Sequence, residues 1–447
     1  MNILSIYGSH DGCVTYTKNN KIIFHTQIDR YNKFKHTTFP AKELVRTLET
    51  LDIDLFLLSN NRWHTINLWT DFISVSKKLK KTPIINYEAR YHHLFHAYCS
   101  LTWNKNCKNI LVCDGNGTYA KTFYEQESLY TFDGKLKHIT TEANRIGFKY
   151  EKFTEKHFEH ELECGKTMAW SLYDERPKAV QDTYEKEMTE LINRWQLKDD
   201  VIFTGGCAQN VLYNSILLDR FNNLFCDFGL SLGAINLYTN NSITNKEIYL
   251  GIPQEVNTDL FLKHKIIDVE SDDVAKVLLK EPIAIFQSRS EQGQRGLGNR
   301  SLLMNPIHKD AHSKLNQIKK REWFRPFACS ILKEKAKEWF EMKIDESPYM
   351  MYVFKIKKEK ENILKTGLSV DNKSRIQTVS KENNSNYYDL IKSFEKITDI
   401  PVLINTSLNL PGDTLVETLN DLKFLFDNSN LNYIYLPEIK KLIKKNG

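Results

Sequence analysis

An α/β protein of two domains is predicted, and three features of the sequence point to it. Short apolar runs of strand length recur along the whole chain. Three of the first of them end in Gly-rich loops, two of which carry an acid: Gly8-Ser9-His10-Asp11-Gly12, Asp114-Gly115-Asn116-Gly117 and Thr204-Gly205-Gly206. At 447 residues the chain is also too long for a single core. With 41% hydrophobic and 26% charged residues, the composition is that of an ordinary globular protein and excludes a disordered one.

Residues 1 to about 30 form strand, turn, strand, with Asn19-Asn20 as the turn. Ile110-Leu111-Val112-Cys113 and Val201-Ile202-Phe203 are further strands that run into the second and third loops. Strands of this kind are typical of the two-lobed actin-like (ASKHA) ATPase fold, in which two related halves face a cleft. Residues 151 to about 195 are charged and predict surface helices; residues 240–275 lose apolar density and are expected to be a linker. A second α/β pattern follows, with strands expected at Ala284-Ile285-Phe286, Tyr349 to Phe354 and Val402-Leu403-Ile404. The expected domains are 1–255 and 256–447. No internal repeat is visible in the residues.

Net charge is +6, small against 62 basic and 56 acidic side chains, and it favours a polyanionic partner only mildly. None of the eight cysteines forms a CxxC pair, so a zinc knuckle or thioredoxin-like site is not supported. No apolar run approaches membrane-spanning length, and a cytoplasmic location is expected.

Four constellations carry chemistry. In Tyr91-His92-His93-Leu94-Phe95-His96-Ala97, a helix places His92 and His96 on one face within reach of one ion; surface histidines on a helix explain the run equally well. Asp114 and Asp227, each in a loop, are candidates to complete a two-His, two-Asp site. The segment Glu291-Gln292-Gly293-Gln294-Arg295-Gly296-Leu297-Gly298-Asn299-Arg300-Ser301 is a Gly-rich cradle with two guanidinium forks suited to phosphate oxygens, though not a Walker A loop. In Lys319-Lys320-Arg321-Glu322-Trp323-Phe324-Arg325-Pro326-Phe327, bases alternate with aromatics, as in an anion site, a nucleic-acid surface or a buried aromatic cluster. Asn405-Thr406-Ser407-Leu408-Asn409 follows a strand and offers small polar groups, which are also ordinary turn formers.

Taken in order, these motifs resemble the O-carbamoyltransferases that modify nodulation factors, cephamycins and aminoglycosides, from Met1 to about Leu425. The resemblance implies an actin-like N-terminal domain, similar to the tRNA threonylcarbamoyl transferase, and a YrdC-like α/β C-terminal domain. It implies that the latter converts carbamoyl phosphate and ATP, with Mg²⁺, into carbamoyl-adenylate. The carbamoyl group then passes to an acceptor hydroxyl at a metal site in the first domain. By motif, His92, His96, Asp114 and Asp227 hold Fe²⁺ or a similar ion; His10 is the base, with Asp11 close by; and Lys319 and Arg325 act on the carbamoyl and phosphate groups. Arg295, Arg300, Arg321, Arg375, Ser407, Asn409, Gly205, Gly206 and Asn210 are expected to bind the nucleotide or its carbamoyl ester. Two segments depart from the pattern: Ser369-Val370-Asp371 replaces His-Val-Asp, and Gly412-Asp413-Thr414-Leu415-Val416 replaces Gly-Glu-Pro-Ile-Val.

The acceptor is not named by the residues. Hydroxymethylated DNA, with 5-hydroxymethylcytosine as the modified base, is one expectation, drawn from the positive balance and from the shortness of the chain relative to the family. A base in DNA must be extruded or single-stranded to react. A small sugar or antibiotic hydroxyl is the other. A non-catalytic nucleotide-binding scaffold is a third reading, and the aromatic surplus allows a homodimer.

Overall fold

The computed structural model describes all residues except 10, 38, 60–62, 77, 88–90, 118–122, 223–228, 246, 365–366 and 447; at 63–67 and 75 it describes the backbone alone. The chain divides into two compact units, Met1–Lys246 and Glu247–Gly447.

The first unit holds two sheets. The first is built from β1 (Asn2–Tyr7), β2 (Cys13–Lys18), β3 (Lys21–Gln27), β4 (Leu55–Ser59) and β5 (Ile84–Tyr87), in the order β3-β2-β1-β4-β5. The β2–β3 hairpin closes on Asn19 and Asn20, at φ +49° and +60°, the left-handed pair that suits strand twist and that asparagine tolerates. The second sheet is built from β6 (Asn109–Cys113), β7 (Glu127–Phe132), β8 (Leu136–Glu142) and β9 (Val201–Thr204), in the order β8-β7-β6-β9. Each sheet is an antiparallel three-strand meander whose first strand takes a parallel neighbour on its other side: β4 beside β1, and β9 beside β6. The repeat invisible in the residues is thus a repeat of strand order, and it defines the two-lobed actin-like fold. β1, β4, β6 and β9 are almost wholly buried, as expected for strands with parallel partners and covered faces.

The second unit is one nine-stranded mixed sheet. Its strands are β10 (Lys265–Asp268), β11 (Ile283–Phe286), β12 (Arg300–Met304), β13 (Ala328–Leu332), β14 (Val353–Lys355), β15 (Lys373–Val379), β16 (Val402–Ser407), β17 (Tyr433–Leu436) and β18 (Lys441–Lys444). Their order is β10-β18-β17-β11-β12-β16-β13-β15-β14. A core of Phe261, Phe286, Met304, Leu315, Ile404 and Phe426, among others, fills one side. Two of its helices start on side-chain caps: Asn384 accepts from Tyr387 N, and Thr418 and Asp421 form a reciprocal capping box.

The charged stretch 151–195 is helical at Ile146–Phe158, Cys164–Trp170 and Glu175–Arg194, as its pattern predicts. The linker expectation over 240–275 needs correction, since β10 and the helix Ser271–Leu278 lie inside it. Their apolar residues are few because β10 is half-buried and the helix buries only Val274, Ala275 and Leu278. The strand expected from Tyr349 begins only at Val353. Among the described residues, no helix is long and apolar enough to cross a membrane.

Candidate functional site

The histidine run opens the helix His92–Trp103, and Asp114 follows directly on β6. One helical turn aligns His92 with His96, and their Nε2 atoms lie 3.3 Å apart. Asp114 Oδ2 lies 2.9 Å from His92 Nε2 and 3.2 Å from His96 Nε2. All three side chains are buried, and their donor atoms fall within 4.8 Å of one another. Burial alone would raise the Asp114 carboxyl, but the bonds to His92 and His96 and their charges hold it well below the usual carboxylate range.

Two imidazoles and a carboxylate whose donor atoms converge among buried side chains fit a divalent iron, manganese or zinc ion. Tyr7, the last residue of β1, sits with its hydroxyl 2.8 Å from His92 Nδ1. With Nδ1–H donating to Tyr7, the His92 Nε2 lone pair is left for the ion, the usual way an outer partner fixes a ligand tautomer. Asp227, the expected fourth ligand, lies outside the described residues, as does His10.

The Gly205-Gly206 loop supports the same site. Gly205 stands at φ +93°, and a Cβ there would lie 2.4 Å from Cys113 O; a Cβ on Gly206 would lie 2.6 Å from Asp114 Oδ1. These glycines let the backbone close on Asp114. Asn210 caps the next helix by accepting from Tyr213 N and exchanges hydrogen bonds with Gln181. Asp11 pairs with His36, Nδ1 to Oδ1 at 2.6 Å.

In the second unit the basic residues form a separate constellation. Lys319 Nζ donates to Ser407 O at 2.6 Å, Asn409 O at 2.9 Å and Asn409 Oδ1 at 2.5 Å. Ser407 Oγ donates to Asn409 Oδ1 at 2.7 Å. The helix Ala311–Lys319 and the end of β16 are thereby brought together by a single ammonium. In the same unit four arginines feel one another: burial first, then the charges of Arg295, Arg321 and Arg325, press Arg375 well below the usual arginine range. Burial and the Arg325 charge likewise depress Arg321. Arg375 Nε is shut off from solvent with no hydrogen-bond partner among the described residues. Glu322 contacts Arg325 at 3.4 Å. Such a concentration of guanidinium groups suits a polyanion.

Arg300 faces elsewhere. Fully buried, it donates to the carbonyls of Gln287, Ser288, Asn299 and Glu417 and stacks 3.7 Å over the Phe286 ring. It braces the Gly-rich segment from inside. So does Glu291, whose Oε1 accepts from the backbone N–H groups of Leu297, Asn299 and Arg300. Ser369 Oγ donates to Asp371 Oδ1 at 2.5 Å, a turn-local contact in the segment that departs from the family pattern. The sequence reading passed over Tyr7 and Glu291 as individual residues. A strand-end tyrosine before Gly8 was the available signal for the first, and an acid opening a Gly-rich run for the second.

A two-lobed actin-like unit with a buried His-His-Asp cluster is thus joined to a second unit with a basic constellation. Residues 274–444 match the family model described as "Carbamoyltransferase C-terminus". That match lies within the second unit, and the resemblance to O-carbamoyltransferases drawn from the motifs is borne out. The chain is 34% identical over 267 residues to nodulation protein NolNO of Sinorhizobium fredii, covering 54% of this chain and 39% of that one. It is 33% identical to nodulation protein NolO of Bradyrhizobium diazoefficiens, over 51% and 46% of the two chains. It is 30% identical to the 3'-hydroxymethylcephem-O-carbamoyltransferase of Amycolatopsis lactamdurans, over 49% and 44%. The chain therefore spans less than half the length of these relatives. Among solved structures, the activator of the 2-hydroxyisocaproyl-CoA dehydratase from Clostridium difficile aligns over 54% of this chain and 95% of its own, at 14% identity and a TM-score of 0.34. A score that low carries no weight, and the fold assignment stands on the repeated strand order.

Proposed function

We propose that the protein is an ATP-dependent O-carbamoyltransferase. The observation that carries this reading is the cluster of Arg295, Arg321, Arg325 and Arg375, in the same unit as Lys319 bonded to Ser407 and Asn409, with residues 274–444 matching the carbamoyltransferase C-terminal family model. Four guanidinium groups, with Glu322 in contact with Arg325, match a ligand that carries several phosphate charges, as ATP and carbamoyl phosphate do together. In this reading the second unit plays the YrdC-like part. Its arginines orient the two anions, and Lys319 and the Ser407–Asn409 pair hold the carbamoyl end. Water takes the phosphoryl group of carbamoyl phosphate, releasing inorganic phosphate and carbamate; the carbamate oxygen then bonds to the α-phosphorus of ATP, and pyrophosphate leaves as carbamoyl-adenylate forms.

In the first unit, His92, His96 and Asp114 would hold a divalent ion, which supplies Lewis-acid polarisation of a carbonyl when bound. Tyr7 fixes the ligand tautomer, and Gly205 and Gly206 let the loop close on Asp114. An acceptor hydroxyl then takes the carbamoyl group and AMP leaves. We place 5-hydroxymethylcytosine in DNA as the leading acceptor. A small-molecule hydroxyl is the alternative, favoured by the similarity to a cephem carbamoyltransferase.

The test is mass spectrometry after incubation with ATP, Mg²⁺, Fe²⁺ and carbamoyl phosphate, over hydroxymethylcytosine DNA, unmodified DNA, sugars and aminoglycosides. A 43-Da class gain (about one carbamoyl group) on one acceptor identifies it. Absence of carbamoyl-phosphate-dependent pyrophosphate release would remove the enzymatic reading and leave the nucleotide-binding scaffold.

A further inference from the structure

The Gly-rich segment of the second unit spends its backbone on an acid of its own. Glu291 is fully buried, and its Oε1 accepts from three N–H groups: that of Leu297, that of Asn299 at 3.2 Å and that of Arg300 at 3.1 Å. The amide among them, Gly298 N, donates to Ser301 Oγ at 2.9 Å. The carbonyls are taken as well. Leu297 O accepts from the Tyr249 hydroxyl and from Gln377 Nε2, both at 2.7 Å. Gly298 O accepts from Gln287 Nε2, Asn299 O from Gln287 N and Arg300 O from Leu408 N. From Leu297 to Arg300, every backbone N–H and C=O therefore has a partner inside the protein.

Glycines seat the same turn. A Cβ on Gly296 would lie 2.6 Å from Arg300 O and 2.9 Å from Ser407 Cα; one on Gly298, at φ +111°, would lie 2.4 Å from the Tyr387 ring. Leu408, whose N–H reaches Arg300 O, directly follows Ser407. The turn is thus fastened to Glu291 and packed against the start of the Ser407–Asn409 segment. Arg295 stands immediately before Gly296, and its charge is among those felt by Arg375.

Backbone N–H groups that converge on one point form a nest, the device with which Gly-rich loops hold phosphate oxygens. Here the nest is already filled. Glu291, Leu297 and Arg300 are at most 1% exposed, so an outside anion would have to displace a carboxylate that solvent does not reach.

We infer that Glu291 occupies the place a phosphate would take in this loop and is a positioning residue for Arg295. The cradle expected from the glycines therefore meets its ligand through the Arg295 guanidinium and not through the amides of Leu297, Asn299 and Arg300. This rests on the reading of the arginine cluster as a site for phosphate groups. Because the turn is complete without ligand, Arg295 leaves it in one direction whether or not the site is occupied, and binding need not order the loop.

The test has two arms, both on the full-length protein with inorganic pyrophosphate as the probe. In the first, amide hydrogen exchange is followed over residues 289–301. The amides of Leu297, Asn299 and Arg300 should be protected without pyrophosphate and stay equally protected with it. Fast exchange in the free protein, or protection that appears only with pyrophosphate, overturns the inference. In the second, calorimetry gives the pyrophosphate Kd of Glu291→Gln, Arg295→Met and the double variant. Glu291→Gln should weaken binding by about tenfold or more, the size of one charge-assisted contact. The double variant should bind no more weakly than Arg295→Met, since a residue that acts through Arg295 has nothing left to act on. A merely structural role would lower the melting temperature and add its loss to that of Arg295→Met. Additive losses, or unchanged affinity in a folded Glu291→Gln, overturn the positioning role. The exchange arm decides even where Glu291→Gln does not fold. If the unsubstituted protein binds no pyrophosphate, it is the arginine-cluster reading that fails, and exchange in the free protein still decides whether the amides belong to Glu291.

Discussion

Lys319 donates to both oxygens of Asn409, the backbone carbonyl at 2.9 Å and the side-chain amide oxygen at 2.5 Å. The Asn409 amide nitrogen is occupied as well, donating to the carbonyls of Leu410 and Asp413. Every polar atom of the Asn409 side chain thus has a fixed direction, and one helix end is locked to one strand end. Asn409→Ala removes one of the ammonium's partners, the side-chain oxygen, and should lower pyrophosphate release by about tenfold to a few hundredfold, the worth of one charge-assisted bond. The thermal midpoint should move far less, since Ser407 O remains as a partner.

The arginine cluster opposes folding when empty. Arg375→Met removes one of four mutually repelling cations, one with a buried Nε that lacks a described partner. Without ligand the variant should melt at or above the parent temperature. Inorganic phosphate or pyrophosphate should stabilise the parent by about 2.7 kcal/mol at a hundred times Kd, seen as a higher melting temperature, and Arg375→Met much less. Calorimetry across a phosphate series checks both arms.

Anaerobic Fe²⁺ or Mn²⁺ should stabilise the first unit for the same reason of mass action. His96→Ala and Asp114→Asn should abolish the gain. Tyr7→Phe should keep the fold and weaken metal affinity by about 10–100-fold, the usual effect of losing an outer-shell partner. Metal-binding titration separates these outcomes.

Burial raises the Asp29 carboxyl from 3.8 to about 6, against the opposing charge of Arg30. Because the folded value lies above the unfolded one, the fold prefers the protonated acid. Its contribution is full below pH 3.8 and is lost as pH rises through about 6. Asp29→Asn mimics the protonated form. It should melt like the parent at pH 4 and be more stable at pH 8, by up to roughly 3 kcal/mol. Melting curves at the two pH values check the sign.

Gly205→Ala meets two penalties at once, a left-handed φ of +93° and a Cβ 2.4 Å from Cys113 O. A loss of at least about 1–3 kcal/mol is expected from the strained backbone alone, with metal affinity falling too as Asp114 shifts. Denaturant midpoints and metal titration of the same variant test the two effects.

The family, the actin-like first unit and the convergence of His92, His96 and Asp114 were all legible in the residues. Each rests on local pattern: an i, i+4 spacing, an acid at a strand end, a run of glycines at a tight approach. Less was legible where a residue acts through distant contacts. Arg300 belongs to the same motif as Arg295, yet only the packing of β11 and β12 turns its guanidinium inward onto four carbonyls and Phe286. The strand and helix at 265–278 escaped notice because a half-buried edge needs few apolar residues.

By itself the sequence determined the kinds of groups available and their order along the chain, because backbone periodicity and side-chain chemistry are local properties. The tertiary structure alone decided that Asp11 meets His36 across 25 positions, that Tyr7 steadies His92 across 85, and that the two lobes repeat one strand order without repeating their residues. Such contacts depend on how strands register and pack, and many different residues satisfy the same register.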